Sequence, residues 1–264
     1  MRYKKTSLHQ VLQTHTVILL NKETKEIGTG VLIQHGSWYM VLTAEHILND
    51  THPDLLLIHL GISGQRYPMK KERIWRDTSR DLAYIQLNSF EVQTFINRLL
   101  PIKLGSERAR DTAREQLRCA VCGYPDSMAY FDESTQTKMA ESILITTIAI
   151  PSEKWPVGIR ENGKDPASNF ILTYGSKQGG RFRNQEGEEI TPPSPYGLSG
   201  AGVWVYDPKT EDNERPDYAL FGVQTGIYVK EQVLVGSFVK PLLDRIREDF
   251  PIGGGDSNQI VEEA

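Results

Sequence analysis

The 264-residue chain is 39% apolar and 24% charged with a formal net charge of −4, an ordinary globular composition that argues against disorder. It is long enough to bury one large core or two small ones, and no tract concentrates Lys and Arg, so nothing points to a nucleic-acid partner. No run approaches the roughly 18 apolar residues of a spanning helix, which excludes a membrane partner of that kind; nor is there an apolar signal stretch after Met1, where the mature protein is expected to begin.

Residues 1–14 read as a polar lead-in. From His15 the pattern changes to short apolar runs separated by Asn, Gly and Ser: Thr16-Val17-Ile18-Leu19-Leu20, Gly28-Thr29-Gly30-Val31-Leu32-Ile33 and Trp38-Tyr39-Met40-Val41-Leu42-Thr43. Runs of this length, rich in β-branched and aromatic residues, predict antiparallel strands and hence a barrel or a sandwich. The third run leads into Thr43-Ala44-Glu45-His46, placing His46 where a strand stops and a short helical turn begins. Further strands are expected near 55–60 and 73–75, and then Asp81 opens the alternating run Leu82-Ala83-Tyr84-Ile85-Gln86-Leu87. Taken alone, His46 reads as a partly buried polar tip and Asp81 as a strand-edge turn residue.

Residues 88–117 join two halves. Helical spacing over 91–100 ends at Pro101, and the charged stretch 106–116 reads as a linker. The expected organisation is therefore a lead-in at 1–14, a first unit at 15–105, a second at 106–252 and a Gly-rich, acidic, flexible tail at 253–264. In the second unit strands are expected near 117–123, 138–150, 169–174, 202–206, 218–224 and 233–239, with a closing helix at 241–250. Two polar, Gly- and Pro-rich segments, 151–167 and 175–195, read as long loops, and the second carries Lys177, Arg181, Arg183, Glu186, Glu188 and Glu189 either as a solvated face or for substrate recognition.

The two cysteines stand in Cys119-Ala120-Val121-Cys122. Residues three apart on a strand face opposite ways, which disfavours a disulfide, and no second Cys/His pair completes a four-ligand metal site. Two reduced thiols point to the cytoplasm, with no metal and no cofactor.

Before the strand at 202–206 stands Tyr196-Gly197-Leu198-Ser199-Gly200-Ala201-Gly202. Three glycines around one serine suit a loop whose backbone must approach another molecule closely. In acyl transfer a serine attacks a carbonyl while backbone N–H groups hold the oxygen that becomes negative; Gly197 and Ser199 could supply both donors. The pattern by itself is common in turns, and Gly61-Ile62-Ser63-Gly64 repeats it where a hairpin loop is expected.

Thr43-Ala44-Glu45-His46, Asp81-Leu82-Ala83 and Gly197-Leu198-Ser199-Gly200 together resemble the three signatures of the chymotrypsin/trypsin-like serine peptidases, in that family's order of His, Asp, Ser. That order differs from those of α/β-hydrolases and subtilisin-like enzymes. Supporting matches are Gly28-Thr29-Gly30, Val121-Cys122-Gly123-Tyr124-Pro125 and Gly222-Val223-Gln224-Thr225-Gly226, and the resemblance covers about residues 15 to 250.

The resemblance implies an all-β fold of two six-stranded antiparallel β-barrels with a C-terminal helix. It also implies a serine endopeptidase acting on a protein or peptide substrate, with His46, Asp81 and Ser199 as the triad, Gly197 and Ser199 as the oxyanion hole, and Gln224, Thr225 and Gly226 pairing with substrate backbone. Leu198 replaces the aspartate of zymogen-type members, so activation by a new N-terminus is not expected. Ile47 replaces a cysteine that commonly follows the histidine. Glu45 raises the histidine's pKa if it faces the cleft and changes little if it faces solvent. Two other readings stand beside this one: a catalytically silent peptide-binding module, and a protease held off until a regulatory protein partner orders the 175–195 loop.

Overall fold

The protein is described from a computed structural model, which places residues 7–21, 23–48, 56–59, 66–68, 74–87, 101–103, 117–132, 137–175, 179–210 and 216–252. The helix and linker expected over 91–100 and 106–116, the Ser63 loop and the tail from 253 lie outside the described residues.

The apolar runs of the first half form β1 (Thr16–Asn21), β2 (Ile27–His35), β3 (Trp38–Thr43), β4 (Leu56–His59), β5 (Arg66–Pro68), β6 (Ile74–Asp77), β7 (Leu82–Leu87) and β8 (Ile102–Lys103). They make one sheet in the order β5-β4-β1-β2-β3-β7-β6, with β8 parallel to β2. The second half contains β9 (Arg118–Gly123), β10 (Ala129–Asp132), β11 (Thr137–Ala140), β12 (Ile143–Ile150), β13 (Asn169–Thr173), β14 (Arg181–Arg183), β15 (Gly202–Tyr206), β16 (Tyr218–Tyr228) and β17 (Val233–Phe238). Here β13-β17-β16-β15-β9-β12 closes on itself through a β12–β13 pairing, a six-stranded antiparallel barrel with β14 attached to β12. The β10–β11 hairpin stands apart as a separate two-stranded sheet.

Among the described residues three α-helices complete the fold: α1 (Leu8–Gln13), α2 (Val157–Glu161) and α3 (Lys240–Asp249). The closing helix is the expected one, with Pro241 in its first turn, where its missing N–H costs nothing. The largest buried cluster lies between the halves, joining Met40 and Leu42 of the first sheet to Cys122 and Trp204 of the barrel and to Leu242 and Ile246 of α3. Cys119 instead faces the barrel interior. The two thiols are free and on opposite faces, and burial pushes both up to about 12, so neither is a thiolate nucleophile. Among the described residues no cluster of His, Cys, Asp or Glu could hold a metal, and no helix is long and apolar enough to cross a membrane.

The structure corrects three readings of polar sequence. Within the lead-in, α1 starts at a capping box in which Ser7 and Gln10 exchange side-chain-to-backbone bonds, and it buries Leu8, His9 and Leu12. Within 151–167, α2 buries Ile159 beside Trp155, which precedes the helix, and a helix of five residues is too short to show a period. Within 175–195, Phe182 anchors β14 to the barrel core.

His9 ties α1 to that last segment. Its Nδ1–H donates to the Asn184 carbonyl at 2.8 Å, leaving Nε2 to accept from the Ser142 hydroxyl at 3.1 Å. Burial lowers its pKa from 6.5 to about 4. The unfolded chain therefore takes up this proton at a higher pH than the folded one. The stability held above pH 6.5 declines as pH falls toward 4, by about 3 kcal/mol from this group. Urea denaturation of wild type and His9→Gln at pH 8 and pH 4 checks this: the variant is expected to lose about 3 kcal/mol less between the two. Equal losses would contradict it.

Candidate active site

The end of β3 runs into the 3-10 turn Glu45–Leu48, and a reverse turn at 77–81 leads into β7. Because β3 pairs with β7 in the register Thr43↔Ala83, the two turns meet. Asp81 sits there at φ 54°, a left-handed conformation that Asp adopts more readily than most residues. This lets its backbone and side chain work together: its carbonyl accepts from Glu45 N–H at 3.2 Å and Oδ1 from His46 N–H at 2.9 Å. The carboxylate also faces the imidazole, with His46 Nδ1 at 2.8 Å from Oδ2 and 3.0 Å from Oδ1. A carboxylate only accepts, so Nδ1 carries the hydrogen and Nε2 is left as a bare acceptor.

Glu45 does neither of the things weighed from sequence. It is 3% exposed and pairs with Arg76, whose Nη1 lies 3.5 Å from Oε1, so its charge is compensated away from the imidazole. Arg76 Nη2 also donates to the Leu48 carbonyl at 2.7 Å, closing the turn that carries His46.

A second brace comes from the barrel. Ser237, fully buried, donates from its hydroxyl to the Arg80 carbonyl at 2.6 Å and accepts from Asn169 Nδ2 at 3.0 Å. Removing that hydroxyl strands a carbonyl next to Asp81. Ser237→Ala is expected to cost about 1–3 kcal/mol in urea denaturation. Peptide-hydrolysis assays should show kcat down about tenfold, because small displacements of catalytic groups are costly. Unchanged stability and rate would show that Asp81 is held without it.

The serine loop is held from both sides. Ser199 C=O accepts from Thr29 N–H of β2 at 2.8 Å, while Gly200 N–H and Ala201 C=O exchange 2.8 Å bonds with Gln224 of β16. Below the loop Leu198 is fully buried and anchors it in the barrel core. Thr29 is the residue whose part sequence reasoning missed. Besides its amide bond, its hydroxyl donates to Gly197 C=O at 2.8 Å and accepts from Tyr124 N–H at 3.1 Å, and its carbonyl accepts from the Thr43 hydroxyl at 2.8 Å. The one sequence signal was a threonine between two glycines in a buried strand.

A cavity of about 530 Å3 opens between the two halves, and Ser199, His46 and Gly197 all line it. Among the described residues, the Gly197 and Ser199 N–H groups donate to no protein acceptor, so both remain available to a ligand. Asp81 and His46 are directly bonded. Ser199 and His46 share the cavity without a hydrogen bond between them. Gln224 and Thr225 are 1% and 5% exposed and do not line the cavity; Gln224, expected to pair with substrate backbone, spends both its N–H and its C=O on Ala201 and Gly200 of the serine loop, so it is not free to do so. Thr225 falls in a bulge of β16, which lets the strand run on to Tyr228 beyond its expected end at 224. β15 pairs with β16 only as far as Val223 and the serine loop takes up Gln224, which among the described residues leaves 225–228 without a strand on that edge.

No protein-family model matches this chain, and no curated protein matches its sequence. Solved structures do match. A scabies mite inactivated protease paralogue aligns at a TM-score of 0.52 and 18% identity, over 93% of this chain and 96% of that one. The VesB protease of Vibrio cholerae aligns at a TM-score of 0.55 and 15% identity, over 92% of this chain and 66% of VesB. The protein thus has a chymotrypsin-like serine protease fold. Both an active-protease and an inactivated-protease likeness are compatible with it.

Proposed function

We propose that this chain is a serine endopeptidase that hydrolyses peptide bonds of a protein substrate through an acyl-enzyme on Ser199. The observation that carries the reading is His46, pinned at Nδ1 by Asp81 at 2.8 Å and opening with Ser199 onto one cavity. A substrate strand pairs with the open edge of β16 at 225–228 and brings its carbonyl over Ser199. The Ser199 hydroxyl oxygen attacks the carbonyl carbon and its proton passes to His46 Nε2, while Asp81 fixes the tautomer and balances the imidazolium. The Gly197 and Ser199 amides hold the oxyanion; losing one such donor costs about 3 kcal/mol of transition-state stabilisation. The C–N bond then breaks, and the amine leaves with the proton from His46. Water attacks the ester by the same route in reverse, and the serine is regenerated. The free, buried thiols favour the cytoplasm as the place of action.

Labelling by a fluorophosphonate tests the reading whatever the substrate. The wild-type protein should label on Ser199, and His46→Ala should label far more slowly. A folded wild-type protein that stays unlabelled would leave a peptide-binding module as the function.

A further inference from the structure

The cavity lies on one side of the serine. It is bounded by the β1–β2 hairpin, through Leu19, Glu26 and Ile27, by Ile47, and across from these by Asp126 and Tyr196; β16 contributes nothing to it. The hydrogen bonds give the same direction, since the Ser199 carbonyl meets β2 while Gly200 and Ala201 meet β16. Every pairing in the barrel is antiparallel. A substrate strand added antiparallel to residues 225–228 runs toward Ser199 with its amino-terminal part on β16. At about 3.3 Å per residue, its first residues beyond the reacting bond pass straight into the cavity.

Among the described residues, the carboxylates of Glu26 and Asp126 line that cavity beside His46, and no Lys or Arg does. Asp126 is already engaged by the Lys138 ammonium, which also donates to the Lys25 carbonyl at 3.1 Å. Glu26 is exposed and accepts from the Thr24 hydroxyl at 3.0 Å, and among the described residues no cation pairs with it. Opposite stands Tyr196, a ring 69% exposed at the mouth and lining the same space. An uncompensated carboxylate, an open aromatic face and the half-buried Ile47 together suit one chemistry: a cationic head on an aliphatic stem.

We infer that this cleft binds the leaving side of the substrate and selects a Lys or Arg at the first or second residue after the cleaved bond, with Glu26 and Tyr196 as the specificity-determining residues. The inference rests on the peptidase reading. It places selection on the amine side of the bond at Glu26 and Tyr196 rather than at the charged residues of the 175–195 segment.

The test is digestion of a randomised peptide library by the full-length protein, with product ends identified by mass spectrometry and fluorophosphonate labelling run in parallel. Lys and Arg are expected to exceed Asp and Glu about fivefold at one of the two positions, the effect of one exposed ion pair. Glu26→Lys should reverse the preference, and Tyr196→Ala should reduce it. Cleavage with a flat or acidic profile, or one that Glu26→Lys leaves as it was, overturns the inference alone. A wild-type protein that neither cleaves nor labels overturns the peptidase reading and this inference with it.

Discussion

Ser199→Ala is expected to lower kcat by about 10^6-fold while leaving the fold in place, the scale of loss seen when the nucleophile of a serine-histidine-aspartate unit is removed. The two halves of this expectation have separate grounds. Loss of rate follows because Ser199 shares the cavity with both His46 and the unused amides of Gly197 and Ser199, and the other described hydroxyls that line it, of Ser127, Ser194 and Tyr196, lie outside the loop that carries those amides or on a phenol. Retention of fold follows because the Ser199 side chain is half-exposed and, among the described residues, makes no hydrogen bond; the loop is held by its backbone to Thr29 and Gln224. Initial rates on a peptide substrate and a thermal melt of the same preparation read both. A rate within tenfold of wild type would mean that chemistry at this cavity does not use Ser199.

The candidate triad positions could be picked from the sequence because each stands beside a strand whose apolar pattern is unambiguous. Thr43 ends β3, Asp81 opens β7, and Ser199 precedes β15 across a run of glycines. Strand registers then do the assembly, and register follows from which side chains must be buried. What was not legible falls into two kinds. Short elements with one or two apolar anchors, such as α1 with Leu8 and Leu12 or β14 with Phe182, carry too little pattern to distinguish from solvated loop. Long-range polar contacts carry none: nothing local says that Thr29 reaches Gly197, that Ser237 reaches Arg80, or that Glu45 is buried against Arg76 rather than facing the cleft or solvent.

The serine loop's dependence on a side-chain-free backbone leads to the second large effect. Gly200→Ala is expected to destabilise the protein by about 3–5 kcal/mol and to lower kcat/KM at least about 100-fold. Gly200 sits at φ 87°, and a Cβ there would stand 1.9 Å from the Thr29 carbonyl oxygen and 2.2 Å from the Thr43 hydroxyl. The left-handed backbone alone costs an alanine about 1–2 kcal/mol; the overlap adds the larger share, because neither neighbour can yield. Thr29 is committed through its amide to Ser199 and through its hydroxyl to Gly197 and Tyr124, and Thr43 is bonded to that same Thr29 carbonyl. Relief must therefore come from the loop itself, which would carry the Ser199 hydroxyl and both candidate oxyanion donors away from His46. Gly163→Ala separates the two costs: it also has a positive φ, 76°, but nothing lies within 4 Å of the added carbon. It should lose about 1 kcal/mol with activity intact. If the two alanine variants melted alike and hydrolysed peptides alike, the close packing of β2 against the serine loop would not be what positions the nucleophile.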